Sequence, residues 1–323
     1  MGPIDAELID VLREKPYISA SVLPKHINAL RRGAATFAAS HESLMRDGRI
    51  DVRQLQIDAP DGFPLKLLVL RPATALARGP GLCFLHGGGM VSGDERTGIE
   101  ALLDWVEDLG ITIVSVGYRL APEHPHPVPV QDCVFAFDWM ADNAASIGID
   151  DGPLMLAGTS AGGGLAAGVA LTVRDRSSSP LSDLILMCPM LDDRARFPSS
   201  SALDAEGTWD ARSNLTGWSA LLGDRAGGPE VSAYAAPGRA TDLSGMPATY
   251  LDVGAVETFR DEVIDFGARL AQAGVATELH VWAGAFHGFD VIAPESMLAR
   301  SARAVRLDYL RRRLRDRDRR AHV

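Results

Sequence analysis

The sequence predicts an α/β fold: a mostly parallel central sheet flanked by helices, led in by an antiparallel hairpin and covered by a helical cap. Three observations predict it. From residue 50 onward, short apolar runs alternate with segments of helical spacing, the pattern of strands joined by crossover helices. The apolar run at 154–157 breaks at Gly158 and restarts as a small-residue helix, so that Gly158-Thr159-Ser160-Ala161-Gly162 stands between a strand and a helix. A histidine in a small-residue loop, His287, follows the last apolar run.

Taken in order, residues 1–48 carry Leu8, Val11, Leu12 and then Ala34, Phe37, Leu44 at helical spacing and show no strand signal. They read as an N-terminal helical cap segment outside the sheet. A plain packing helix pair is the competing reading. Residues 49–323 read as the main domain. Ile50, Val52, Leu55 and Ile57 alternate, Ala59-Pro60-Asp61-Gly62 makes a turn, and Leu65, Leu67 and Val69 resume the alternation, which is a hairpin. Gly81-Leu82-Cys83-Phe84-Leu85 is a continuous apolar run suited to a strand covered on both faces, and it ends in His86-Gly87-Gly88-Gly89-Met90. Further strands are expected at 111–116, 184–188, 248–253 and 277–282, with helices at about 98–109, 130–145, 261–273 and 296–313. Residues 191–245 break the rhythm: rich in Ser, Asp, Gly and Pro around Trp209, Trp218, Leu221 and Leu222, they are too long for a connection and read as a lid insertion, with a folded surface excursion around its own small cluster as the competing reading.

Composition sets the class. The chain of 323 residues is 46% hydrophobic and 23% charged, and no apolar run approaches a membrane span. A net charge of -10 and a pI near 5.3 argue against nucleic acid as a partner. The first ten residues have neither the basic flank nor the apolar core of a secretory signal, so a cytoplasmic location is expected. Cys83, Cys133 and Cys188 are odd in number and set among apolar residues, which suits buried free thiols. The basic run from Arg311 to Arg317 reads as a solvated helix end carrying cations at the favourable terminus.

The chemistry follows from crowding and charge. A serine on a sharp turn needs neighbours without side chains, which Gly158 and Gly162 provide, and the turn places Ser160 at a helix N-terminus where developing negative charge is favoured. A serine hydroxyl also needs a general base and the base an orienting acid, in the chain order serine, acid, histidine. His287 stands where the base belongs. Asp252, Glu257, Asp261 and Glu262 surround the place of the acid; Asp252 lies at the strand edge and Asp261 and Glu262 fit an acidic first helical turn, which leaves Glu257, with Asp261 the second choice. The N–H groups of Gly88, Gly89 and Ala161 are candidate donors to an oxyanion. A phosphate cradle is the other reading of the glycines, but no Lys-Ser/Thr follows them. His124 and His126 lack a third ligand nearby, so no metal is expected, and nothing implies a cofactor.

Together His86-Gly87-Gly88-Gly89, Tyr118-Arg119-Leu120-Ala121-Pro122-Glu123, Gly158-Thr159-Ser160-Ala161-Gly162-Gly163 and His287-Gly288-Phe289 resemble the hormone-sensitive-lipase-like branch of the α/β-hydrolases, the bacterial carboxylesterases with His-Gly-Gly-Gly, over about residues 50–295. The resemblance implies an α/β-hydrolase fold with an eight-stranded sheet, a cap from the N-terminal segment and the insertion, Ser160 as nucleophile, and a serine carboxylesterase acting on small-molecule, short-chain acyl esters. A homodimer is expected by analogy. The family often has aspartate where Thr159 stands and an aromatic where Met90 stands, and its acid is usually aspartate where this chain has Glu257. Met90, Thr159, Trp209 and Trp218 are the residues expected to face substrate. A deacetylase or amidase on a small acylated metabolite is the alternative. A non-catalytic receptor, like the plant gibberellin receptors, is disfavoured because those lack the histidine that this chain keeps.

Overall fold

The computed structural model describes residues 2–14, 21–74, 78–176, 180–203 and 208–321. Residues 15–20 of the expected cap segment and 204–207 of the expected insertion lie outside them. Three helices open the chain, α1 (Ala6–Glu14), α2 (Ile27–Phe37) and α3 (His41–Met45). The hairpin is β1 (Ile50–Asp58) and β2 (Pro64–Pro72), and the alternating part runs β3 (Gly81–Leu85), α4 (Leu103–Leu109), β4 (Thr112–Gly117), α5 (Val128–Asp142), β5 (Leu154–Thr159), α6 (Ala161–Asp175), β6 (Leu181–Met187). After α7 (Pro198–Ala202) and α8 (Ala211–Leu222) come β7 (Ala248–Gly254), α9 (Arg260–Gln272), β8 (Thr277–Trp282), α10 (Phe289–Ile292) and α11 (Met297–Ala321).

The eight strands form one sheet in the order β1-β2-β4-β3-β5-β6-β7-β8. β2 pairs antiparallel with β1 and β4, and the remaining pairs are parallel. The period of two in a strand divides each apolar run between two cores. Cys83, Leu85, Leu156 and Leu186 face α5, α6 and α9, whereas Leu82, Phe84, Met155 and Ile185 face α4 and α11. This is why β3 is buried along its whole length and reads in sequence as a plain apolar run. A third, smaller core joins Leu8 of α1 to Ala285, Phe286 and Ala302, so the first helix packs beneath the loop carrying His287. Among the described residues no helix is long and apolar enough to cross a membrane. All three cysteines are free and buried.

The basic end of α11 differs from expectation. Arg312 bonds Glu278 of β8 at 2.9 Å, Arg313 pairs with Asp183 of β6, and Arg317 pairs with Asp150 just before β5. These side chains stitch the helix to acids at the starts of the strands instead of lying free in water, because α11 is long enough to run under three strands. Deeper on the same helix, Arg306 is almost wholly buried and clamps Asp252 bidentately at 2.6 and 3.1 Å while pairing with Asp290, three residues beyond His287. Removing one partner of a buried pair leaves charge uncompensated. Arg306→Leu strands two carboxylates and is expected to lose about 3–5 kcal/mol of folding stability, whereas Asp290→Asn, which leaves a neutral Arg306–Asp252 pair, loses clearly less; urea midpoints of the two variants check the order.

Candidate active site

The turn between β5 and α6 is a backbone crossing that only glycine permits. A Cβ on Gly158 would stand 2.1 Å from the Gly162 carbonyl oxygen, and one on Gly162 would stand 2.1 Å from that of Leu85. Between them Ser160 takes φ 57° and ψ -120°, a strained conformation for a side-chain-bearing residue. It is held there from both sides: its N–H donates to Met187 at 2.8 Å, and its carbonyl accepts from Met190 at 2.9 Å. The hydroxyl therefore sits at the N-terminus of a 15-residue helix with nearly all of its residue buried.

His287, in the loop between β8 and α10, meets this serine with Nε2 at 2.9 Å from Ser160 Oγ. Its Nδ1 lies 3.0 Å from Oε1 of Glu257, and the other carboxylate oxygen accepts from Gly254 N–H at 3.0 Å. Since a carboxylate can only accept, Nδ1 carries the proton and Nε2 is left to accept from the serine. Phe259 packs edge-on against the imidazole, 5.1 Å between centroids. The three neighbouring acids have other partners: Asp252 holds Arg306, Asp261 accepts from Ser199 N–H at 2.9 Å and from Arg260 at 2.7 Å, and Glu262 accepts from Leu191 N–H at 2.7 Å. Burial without a cation raises the Glu262 carboxyl well above the usual range, while Arg260 and Ser199 overcome desolvation to lower that of Asp261.

The glycine loop after β3 runs through left-handed backbone at Gly88, Gly89 and Met90, with φ of 117°, 63° and 67°. The Gly88 carbonyl is occupied by the N–H groups of Val91 and Ser92. The N–H groups of Gly88, Gly89 and Ala161 have no protein acceptor among the described residues. At the base of the loop His86 is buried, stacked on Tyr118 at 4.2 Å with its Nδ1 on the Gly87 carbonyl at 2.7 Å, and Tyr118 donates to the His86 carbonyl. Burial pushes the His86 imidazole down to about 4, so it is neutral and braces the loop.

The residues expected to face substrate fall into two groups. The outer edge of the Trp209 indole lies against Gly89, where any Cβ would come within 2.1 Å of it, and Trp218 of α8 is buried nearby through its neighbour Gly217; among the described residues neither indole N–H has a partner. Met90 is fully buried against Gly164, and Thr159 is half-buried beside Ser160 with its hydroxyl 3.9 Å from Met187 Sδ. Three contacts escaped sequence reasoning. Arg31 of α2 donates to the carbonyls of Val91 and Ala121 at 2.7 and 2.9 Å and forks onto Glu123, whose carboxyl it lowers to about 2. Thr208 donates to the His287 carbonyl, and Thr258 to that of Trp209 at 2.7 Å. Only the Arg31–Glu123 charge pair carried any signal, and their separation by 92 positions hid it. A separate cleft of about 550 Å³ lined by Arg119, His126, Phe135 and Tyr234 contains none of these groups.

An eight-stranded, mostly parallel sheet with a serine raised on the turn after its fifth strand is the architecture of an α/β hydrolase. Comparison with known proteins agrees: residues 82–291 match the family described as the alpha/beta hydrolase fold. Esterase LipI of Mycobacterium tuberculosis is 34% identical over 246 residues, 74% of each chain, and Carboxylesterase NlhH of the same organism is 30% identical over 252 residues, 76% of this chain and 77% of that one. Among solved structures, a bacterial heroin esterase superposes with a TM-score of 0.87 at 32% identity, covering 96% of this chain and 97% of that one. The chain belongs to the α/β-hydrolase family, in its hormone-sensitive-lipase-like branch, and is a carboxylic ester hydrolase.

His86 makes a pH test. Its folded pKa lies below the unfolded value, so the unfolded chain binds the extra proton and stability falls as pH drops from about 6.5 towards 4, by about 3 kcal/mol for this one group. His86→Gln is less stable at pH 7 through lost stacking, but the gap to wild type is expected to narrow as the pH falls to 4. Urea midpoints at half-unit steps measure the gap; a constant gap contradicts the assignment of a buried neutral imidazole.

Proposed function

We propose that this enzyme is a serine carboxylesterase that cleaves short-chain acyl esters through an acyl-enzyme. Ser160 Oγ attacks the ester carbonyl as its proton passes to His287 Nε2, and Glu257 holds Nδ1–H and stabilises the imidazolium that forms. The tetrahedral oxygen is received by the N–H groups of Gly88, Gly89 and Ala161. His287 returns its proton to the departing alkoxide, and a water activated by the same imidazole then attacks the acyl-enzyme. The observation that carries the reading is the continuous relay Ser160–His287–Glu257, with contacts of 2.9 and 3.0 Å, standing beside three unclaimed N–H donors.

The preference for short chains rests on the roof over the glycine loop. Trp209 covers Gly89, and a Cβ on Gly217 would stand 2.7 Å from the Gly89 carbonyl, so little space is left above the donors for a long acyl group. The proposed cap consists of residues 1–48 and the insertion at about 191–245. The N-terminal segment touches α8 through Ser21 on Asp210 and through Val22 N–H on Ser213 Oγ at 2.8 Å, and touches the glycine loop through Arg31. Met90, Thr159, Trp209 and Trp218 are proposed to line the substrate space.

Hydrolysis of p-nitrophenyl esters from acetate to laurate tests this. Activity is expected to peak at the short esters. Ser160→Ala should lower kcat by about 10⁴-fold or more and Glu257→Gln by about 10³–10⁴-fold, while Asp261→Asn stays near wild type. Substantial turnover by Ser160→Ala, or loss in Asp261→Asn with Glu257→Gln spared, would overturn the assignment, and a maximum at laurate would overturn the chain-length preference.

A further inference from the structure

Close to both Glu257 and His287 lies a third group that the proposed chemistry does not use. Cys188 follows directly after β6 and is buried at φ 39°, its N–H tied to the Asp252 carbonyl at 2.8 Å. Its Sγ, a carboxylate oxygen of Glu257 and a ring nitrogen of His287 all lie within 4.8 Å of one another, the one such group of three among the described residues. Thiolate, imidazole and carboxylate form a ligand set suited to soft and borderline divalent ions rather than to magnesium or calcium. In a tetrahedral zinc site ligand atoms sit about 2.0–2.3 Å from the ion and so about 3.3–3.8 Å from one another, and binding would draw the trio in from the 4.8 Å within which it already lies.

Charge favours occupation. Cys188 also stands near Asp252 and Asp290, two acids that share the buried guanidinium of Arg306, with Arg303 adding a second positive charge near Asp290. With Glu257 ionised, the surroundings are already anionic and buried, where an uncompensated charge is costly. A divalent ion held by one thiolate and one carboxylate is neutral as a unit.

We propose that Cys188 Sγ, Glu257 Oε1 and His287 Nδ1 form a binding site for a thiophilic divalent cation of the zinc or cadmium kind, and that its occupation switches the enzyme off. The loss of activity rests on the esterase mechanism proposed above; the binding does not. The thiol proton leaves as the sulfur–metal bond forms. The Nδ1 proton is also displaced, and the neutral imidazole takes one up at Nε2, so one proton is released per ion bound. With Nε2 protonated, His287 donates to Ser160 and cannot receive its proton. Because all three ligands are buried, inhibition sets in slowly.

The experiment compares wild type, Ser160→Ala, Cys188→Ser and Cys188→Ala, each freed of metal with chelator and then given Zn²⁺ or Co²⁺. Equilibrium dialysis should find one Zn²⁺ per chain in wild type and in Ser160→Ala, and Co²⁺ should add a thiolate-to-cobalt charge-transfer band in the near ultraviolet. Both signals should vanish in either Cys188 variant. Ester hydrolysis by wild type should decay over time with Zn²⁺, recover with chelator and ignore Mg²⁺, and the Cys188 variants, each judged against its own untreated rate, should need about tenfold more Zn²⁺ or beyond. Stoichiometric binding with the cobalt band in Ser160→Ala upholds the site even if no ester is ever turned over. No charge-transfer band in wild type, or equal Zn²⁺ inhibition of wild type and both Cys188 variants, overturns the proposal.

Discussion

The arrangement depends first on one close approach of backbone to backbone. Gly162, in the first turn of α6, lies so near the Leu85 and His86 carbonyls that a methyl group would stand 2.1–2.3 Å from them. β3 and β5 are hydrogen-bonded neighbours, so the glycine loop leaving one and the serine turn leaving the other emerge side by side. The crossing at Gly162 removes the remaining slack. A Cβ on Gly87 would stand 3.4 Å from that of Ser160, and the relation between serine and loop is fixed by the pairing of two fully or almost fully buried strands. Loops alone could not hold it to the few tenths of an ångström that oriented chemistry requires.

A second constraint sorts the charges. Four acids fall within eleven positions, Asp252 to Glu262, and by sequence any of them could serve the histidine. The structure gives each a different environment. Asp252 faces across the sheet end to Arg306, Asp261 points at α7 through Ser199, and Glu262 turns under the chain after β6 to receive backbone N–H groups. Glu257 is fully buried, accepts one backbone N–H at its far oxygen and turns its near oxygen to the imidazole. Two hydrogen bonds to one carboxylate fix its rotamer, and a fixed carboxylate fixes the imidazole. The extra methylene of glutamate is absorbed by backbone, since the Gly254 N–H that it reaches belongs to the strand end itself.

How much was legible from sequence follows from how local each determinant is. The elbow, the glycine loop and the order serine, acid, histidine are written in short stretches with strong backbone requirements, and strand positions fell within a few residues because apolar runs or strict alternation mark most of them. β6 begins at Leu181, three residues before the expected start, since Ser182 and Asp183 mask the first residues of an interior strand, where Asp183 meets Arg313. In the basic tail Arg312 and Arg315 are exposed as expected, but the ion pairs of Arg312, Arg313 and Arg317 were invisible because their acidic partners lie 34 to 167 positions away. Contacts such as Arg31 to Val91 or Thr208 to His287 are equally invisible: an arginine or threonine in a helix-flanking segment carries no mark of which carbonyl it will meet.

Those unmarked contacts bear on how the site works. The short stretch 208–210 touches each part of the proposed machinery: Thr208 bonds the carbonyl of His287, Trp209 covers Gly89 and accepts from Thr258 beside Glu257, and Asp210 caps α8 while holding Ser21 of the N-terminal segment. A cap that met only substrate could change shape and alter affinity alone. The proposed cap is hydrogen-bonded to the same loops that carry His287, Glu257 and the Gly88 and Gly89 N–H groups, so under the proposed chemistry a shift large enough to admit a different ester also displaces the groups assigned to catalysis. Under the proposed chemistry selectivity and catalysis are therefore not separable, and the indole N–H groups of Trp209 and Trp218, which have no partner among the described residues, lie at the seam where they meet.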